Sequence, residues 1–185
     1  MRVIGVRSSR WNTPSTRWDP DWATEVADLY ASAAGGLIGY LTVLTGNRAD
    51  AEELTQDTFA KLLLHWGKLR AYDDPVAWLR QVSTRAAISR FRRRKVADAG
   101  LIRLADSTSP PTDPAVGVTT RVDIEKALET LSVDHRAVVL LHYAHDLSIA
   151  EIAGVLGVAP GTVKSRLSRA REALAPLLEA NHELL

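Results

Sequence analysis

The chain has 185 residues, 46% apolar, 24% charged and 6% aromatic, which suits one ordinary domain or two small ones and excludes both a large multi-domain enzyme and wholesale disorder. It has no cysteine, so disulfides, thiolate zinc sites, iron–sulfur clusters and a cysteine nucleophile are excluded. The net charge of +1 conceals segregation: residues 1–20 carry +3, 21–77 carry −5, 78–95 carry +7, 96–160 carry −5, 161–171 carry +4 and 172–185 carry −3. One basic run is ordinarily a solvated helix face. Two acid-free runs in separate parts of the chain point to nucleic acid, because displacing counterions from phosphates needs several Lys or Arg gathered on one face.

Residues 1–20 form a basic leader in which Trp11 and Trp18, with Trp22 just beyond, interleave with Arg7, Arg10 and Arg17. Such a leader reads as flexible, although the same composition can stack on nucleic acid. The start MRVIGVRSSR lacks the apolar core of a secretion signal, and the longest apolar stretch, Leu37 to Leu44, is broken by Gly39 and Thr42. The expectation is a soluble cytoplasmic protein with no direct membrane insertion.

From Trp22 to Leu44, apolar residues recur at spacings of three and four, which predicts a helix with a bend at Gly35 and Gly36. After a turn through Gly46 and Asn47, Ala51, Leu54, Thr58, Leu62 and Trp66 predict a second helix with Asp50, Glu52, Glu53 and Asp57 largely outside its apolar stripe. Acids early in a helix also complement its dipole, which explains part of their presence without a partner. Pro75 starts a third helix, Val76 to about Lys95, ending in the basic run Arg90 to Lys95. Residues 98–118, with Pro110, Pro111 and Pro114, read as a flexible linker. Beyond it, Val122–Leu131, Val133–Ala144, Ile149–Leu156 and Thr162 to about Leu178 read as helices. The expected fold is all-α: two small helical domains, 21–97 and 119–180, joined by that linker.

The segment Leu147–Leu167 has the spacing of a helix-turn-helix. Ser148 and Glu151 can form a capping box, Gly157 suits a left-handed turn, and Pro160 suits the first position of the second helix. Ile149, Ile152, Ala153, Leu156, Val158, Val163 and Leu167 supply the small core between the two helices. With Val163 and Leu167 inward, Lys164, Ser165, Ser168 and Arg171, with Thr162, Arg166 and Arg169 at the edges, can face a major groove.

The order of these parts resembles a sigma factor of the extracytoplasmic-function group of the sigma-70 family, bacterial transcription-initiation factors that keep only regions 2 and 4. The resemblance covers roughly residues 22–178, through GNRADAEELTQDTFAKLLLHW and DDPVAWLRQVSTRAAISRFRRRK in region 2 and LSIAEIAGVLGVAPGTVKSRLSRAREAL in region 4. Response regulators of the LuxR type end in a similar helix-turn-helix but lack the acidic and basic helices upstream. The resemblance implies core RNA polymerase as a partner, through its β′ clamp helices and β flap, with Glu52, Glu53, Asp57 and Phe59 as contacts. It implies promoter DNA as the ligand, with Tyr72, Trp78, Arg80, Arg85, Ser89, Arg92 and Arg93 at the minus-ten element and the helix from Thr162 at minus thirty-five. It further implies an anti-sigma factor as a partner, no cofactor, and melting driven by captured unpaired bases rather than by any enzymatic step. The family pattern often has Asn near 85 and Asp near 89, where this chain has Arg85 and Ser89, and often a capping Ser where this chain has Ala159.

Two rival readings remain from the residues alone: a stand-alone DNA-binding regulator, and an interaction protein that binds polymerase or an anti-sigma factor without opening promoters. His142 and His145, followed by Asp146, suggest a metal pair, but no third ligand has recognisable spacing. Ser, His and Asp fall in no hydrolase arrangement, and the glycines form no phosphate loop.

Overall fold

The computed structural model describes residues 20–101 and 119–182, with side chains described at 21–96 and 124–177. The basic leader and most of the expected linker lie outside the described residues. Among the described residues seven α-helices follow one another: α1 (Pro20–Thr45), α2 (Arg48–Leu69), α3 (Pro75–Leu101), α4 (Thr119–Glu129), α5 (Val133–Val139), α6 (Ile149–Leu156) and α7 (Pro160–His182). A π-helical turn, Leu140–Ala144, continues α5 directly. No strand occurs among the described residues.

Local chemistry explains the boundaries. Asn47 Oδ1 accepts from Asp50 N at 3.0 Å to start α2, and Asp74 Oδ1 accepts from Ala77 N at 2.9 Å to start α3, where Pro75 fills a position needing no N–H. The apolar stripe of α2 is buried, and its two threonines inside it, Thr55 and Thr58, return their hydroxyls to Ala51 O and Leu54 O at 2.8 and 2.7 Å. A threonine satisfied on its own helix leaves no orphaned polar atom in the core. Leu41, Leu44, Leu62, Leu69 and Leu79 are fully buried where α1, α2 and α3 meet, each contributing about 1.5–3 kcal/mol of transfer free energy. By length and mean hydropathy, 1.3, Asp21–Thr45 would pass for a membrane span, yet Leu37, Leu41 and Leu44 are spent on this core.

Several boundaries differ from the sequence expectation. The first helix begins at Pro20, two residues before Trp22, and continues through Gly35 and Gly36 to Thr45. The third extends to Leu101, so the first four residues of the expected 98–118 linker are helical. The last begins at Pro160, two residues before Thr162, and the segment expected as one helix over Val133–Ala144 changes pitch at Leu140.

The two helical halves, α1–α3 and α4–α7, pack against each other, and buried residues of both, from Val26 to Ala170, are in contact in one apolar core. The C-terminal end of α1 meets α5, and α3 meets both α5 and α6.

Candidate nucleic-acid interface

The helix-turn-helix forms as its sequence suggests. Ser148 accepts from Glu151 N at 3.3 Å while Glu151 Oε2 accepts from Ser148 N at 2.8 Å, and this bonding holds the Glu151 carboxyl below its ordinary 4.5. Gly157 closes α6 with φ of +68°, a conformation that would strain a side chain. Ile152, Ala153, Val163, Leu167 and Ala170 are buried, which turns the opposite face of α7 outward. Lys164, Ser165, Ser168, Arg169 and Arg171 are exposed and Thr162 is half-buried. Ser168 donates to Glu172 at 2.9 Å, and Arg171 donates to the Tyr143 hydroxyl at 2.8 Å. Arg166 differs from its neighbours: its side chain is only 17% exposed and turns back toward α5.

Along α3, Arg85, Ser89, Arg92 and Arg93 are exposed, and Trp78 and Arg80 are half-buried. Tyr72, in the turn between α2 and α3, is exposed. Residues 85, 89 and 92 share one helix face, which together with α5, α6 and α7 borders a groove of about 520 Å³. The structure thus brings residues read as minus-ten and minus-thirty-five candidates to the two walls of one groove. Arg85 crosses it, donating from Nε to Val155 O at 2.6 Å and from Nη2 to Gly154 O at 2.7 Å. Arg92 reaches Asp134 Oδ1 at 2.6 Å, and Arg166 reaches the same oxygen at 3.2 Å.

Two other arginines of the basic run serve α2. Arg90 pairs with Glu53 at 2.6 Å and Asp50 at 3.2 Å, and Arg94 bonds both oxygens of Asp50. The Arg94 hydrogen bond is the main reason that the Asp50 carboxyl sits below its ordinary 3.8. Among the candidate polymerase contacts, Glu53 is therefore shared with Arg90, Glu52 pairs with Arg48 at 2.8 Å, and Asp57 is exposed. Phe59 is corrected: it is 4% exposed and packs edge-on against Tyr30 at 4.8 Å, so it is a core side chain with no surface to offer. The α2 stripe repeats at three and four, and residue 59, next to Thr58, falls within its width.

Three residues that the sequence reading assigned to neither binding surface join the halves. Arg136, 6% exposed, donates to Leu128, Glu129 and Leu131 carbonyls around the end of α4 and to Val43 and Leu44 carbonyls at the end of α1, at 2.8 to 3.2 Å. Burial lowers its pKa, partly opposed by Glu129. An arginine directly before the apolar run Ala137–Leu141 was the available signal. Tyr40 donates to Thr84 Oγ1 at 2.8 Å, since the Thr84 hydroxyl itself donates to Arg80 O, and burial pushes the phenol up to about 12. Across the junction, the His145 ring meets Tyr40 edge-on at 5.0 Å; its Nε2 is buried without a partner, and burial, then Arg80, lowers its pKa. His142 Nδ1 lies 3.0 Å from Leu147 O, and no group of three potential metal ligands occurs among the described residues.

Comparison with known families matches residues 29–96 to sigma-70 region 2 and residues 121–174 to sigma-70 region 4. The chain is 35% identical over 156 residues to the ECF RNA polymerase sigma factor SigL of Mycobacterium tuberculosis, covering 82% of this chain and 87% of SigL. It is 37% identical over 130 residues to the ECF RNA polymerase sigma factor SigM of the same species, spanning 70% of this chain but 64% of SigM. The fold is similar to that of the sigma factor RpoE of Bartonella quintana, solved in complex with the anti-sigma factor NepR, with 28% identity, a TM-score of 0.62 and coverage of 84% of this chain and 98% of that one.

Proposed function

Since the chain belongs to the extracytoplasmic-function group of sigma-70 family RNA polymerase sigma factors, we propose that it is a promoter-specificity subunit that binds core RNA polymerase, recognises two spaced promoter elements and opens the DNA at minus ten. The observation that carries this reading is the pairing, on one chain, of a basic helix α3 in the region 2 match with an outward-facing recognition helix α7 in the region 4 match. Neither helix alone discriminates a sigma factor from a simple regulator.

In this reading Lys164, Ser165, Ser168, Arg169 and Arg171, with Thr162 and Arg166, read and hold the minus-thirty-five element. Arg85, Arg92 and Arg93 hold phosphates at minus ten, while Tyr72, Trp78, Arg80 and Ser89 lie where unpaired bases stack and bond. Glu52, Glu53 and Asp57 on α2 face the polymerase clamp helices, and region 4 meets the flap. Melting draws on binding energy alone, so the protein supplies no catalytic side chain and works in the cytoplasm. RpoE's complex with NepR supports an anti-sigma factor as a further partner here.

The test mixes purified protein, core polymerase and genomic fragments, sequences the transcripts and maps unpaired thymines with permanganate. New start sites sharing two spaced elements, with melting beside them, are expected. Duplex binding without polymerase association would defeat the proposal in favour of a stand-alone regulator. Polymerase binding without melting would reduce the protein to an interaction partner.

A further inference from the structure

Tyr143 lies outside the helix-turn-helix, yet it is 57% exposed and holds a side chain of the recognition helix. It stands in the π-helical turn Leu140–Ala144, and Asp146, three residues on, has a φ of +50°. Neither conformation is one that a chain adopts freely: π turns are rare and collect at functional sites, and the left-handed region is uncommon for a residue with a side chain. Leu140 and Leu141 are buried, and an α-helix would carry residue 144 into the core after them. In the wider turn Ala144 is exposed and the Tyr143 hydroxyl reaches α7.

The contact uses one part of Arg171 and spares another. Arg171 Nε donates to the Tyr143 hydroxyl at 2.8 Å, while its guanidinium carbon lies 6.0 Å from the ring centre, the far limit of attraction by a ring face, so the hydrogen bond defines the pairing. With Nε spent, the four N–H groups of the two Nη atoms remain, the end-on fork that takes two oxygens of one phosphate. Position along α7 decides between base and backbone. Arg171 lies about 17 Å beyond Pro160 along the helix axis, at 1.5 Å per residue, whereas a recognition helix gives its N-terminal residues to base edges. Arg171 also follows exposed Lys164 by two helical turns, so both stand on one flank of α7.

We propose that Tyr143 is a positioning residue for DNA binding: its hydroxyl fixes Arg171 so that the two Nη atoms take a backbone phosphate at the edge of the groove that α7 enters. The ligand rests on the sigma-factor reading; the Tyr143–Arg171 pairing rests on the structure alone. The benefit is preorganisation. A free arginine has the rotamer freedom of a long side chain, and ordering it at the moment of binding subtracts from affinity. One already held through Nε loses less. Because a phosphate is the same at every base pair, the clamp adds affinity and register without reading sequence.

Two measurements on the full chain test it. In heteronuclear magnetic resonance spectra, the Arg171 Nε–H signal, assigned by its loss in Arg171→Lys, should exchange with water more slowly than that of exposed Arg169, and Tyr143→Phe should abolish the difference. In fluorescence anisotropy with mixed-sequence duplexes of roughly 30 base pairs, enough for several phosphate contacts, Tyr143→Phe should weaken binding about 3- to 10-fold, the scale of one hydrogen bond, and by the same factor whatever the sequence. Arg171→Lys keeps the charge without the fork and should weaken binding at least as much; adding Tyr143→Phe to it should cost nothing more. An unprotected Nε–H in the parent, parental affinity in Tyr143→Phe, additive losses in the double variant, or a loss that varies with sequence overturns the proposal. Should Tyr143→Phe not fold, the parent's Nε–H protection and Arg171→Lys decide, and parental affinity in the latter overturns the fork. A parent that binds no duplex overturns the proposal together with the DNA reading. A chain that behaves as described but gives no polymerase-dependent transcript refutes the sigma-factor reading and leaves the clamp standing.

Discussion

Replacing Arg136 by Met tests whether one buried guanidinium holds the two halves together. The side chain makes five hydrogen bonds to carbonyls and, among the described residues, has no carboxylate bonded to it. Two effects oppose each other. Methionine removes a charge whose burial is unfavourable, shown by the lowered pKa of Arg136, and fills much of the same volume. It also strands Leu128, Glu129, Leu131, Val43 and Leu44 oxygens, of which those bonded in the buried part of the network cannot turn to water. Each stranded buried acceptor costs about 1–3 kcal/mol. With three such bonds buried and the desolvation saving set against them, a net loss of about 3 kcal/mol is expected. Urea denaturation followed by helical circular dichroism measures it. Arg136→Lys, a point charge that reaches fewer of the five oxygens, should fall between parent and Met. A Met variant within about 0.5 kcal/mol of the parent would show that solvent replaces the guanidinium and that the carbonyl cage is incidental.

Other expectations follow from single contacts. A Cβ at Gly67 would sit 2.8 Å from Trp22 Cη2, so Gly67→Ala should destabilise by about 1 kcal/mol, overpacking outweighing its helix propensity. In a Trp22→Leu background the same change should become stabilising, and a sign that does not reverse would remove the ring from the explanation. Ser148→Ala breaks the capping box and should cost about 1 kcal/mol, read as a lower urea midpoint; no change would mean that α6 is held by packing alone. The His145 pKa lies below its ordinary 6.5, so the folded chain disfavours the proton: stability is full above about pH 6.5 and declines as pH falls through the lower, folded value. Further acidification then removes what Asp50 and Glu151 contribute, since their folded values lie below 3.8 and 4.5. His145→Phe should lose less stability than the parent between ~pH 7.5 and ~pH 5.5; identical losses would place the titrating group elsewhere.

The sequence determined what depends on near neighbours along the chain. Spacing at three and four marked most of the helices, and the Ser148–Glu151 box, Gly157 and Pro160 marked the helix-turn-helix, because caps and turns are satisfied within a few residues. The two basic runs were legible for the same reason: charge density is additive along a segment. Partnership was not legible. Nothing local distinguishes Arg90, which pairs back to Glu53 and Asp50, from Arg93, or Arg166, held on Asp134, from exposed Arg169. Phe59 failed for a related reason: an aromatic beside an acidic face reads as a contact until its ring is found against Tyr30. Arg136 could be noticed at the start of an apolar run, but its five acceptors come from the ends of helices up to 93 residues away in the chain. Only the tertiary fold brings those carbonyls to one point, and only there does leaving them unpaired carry the cost that makes the arginine necessary.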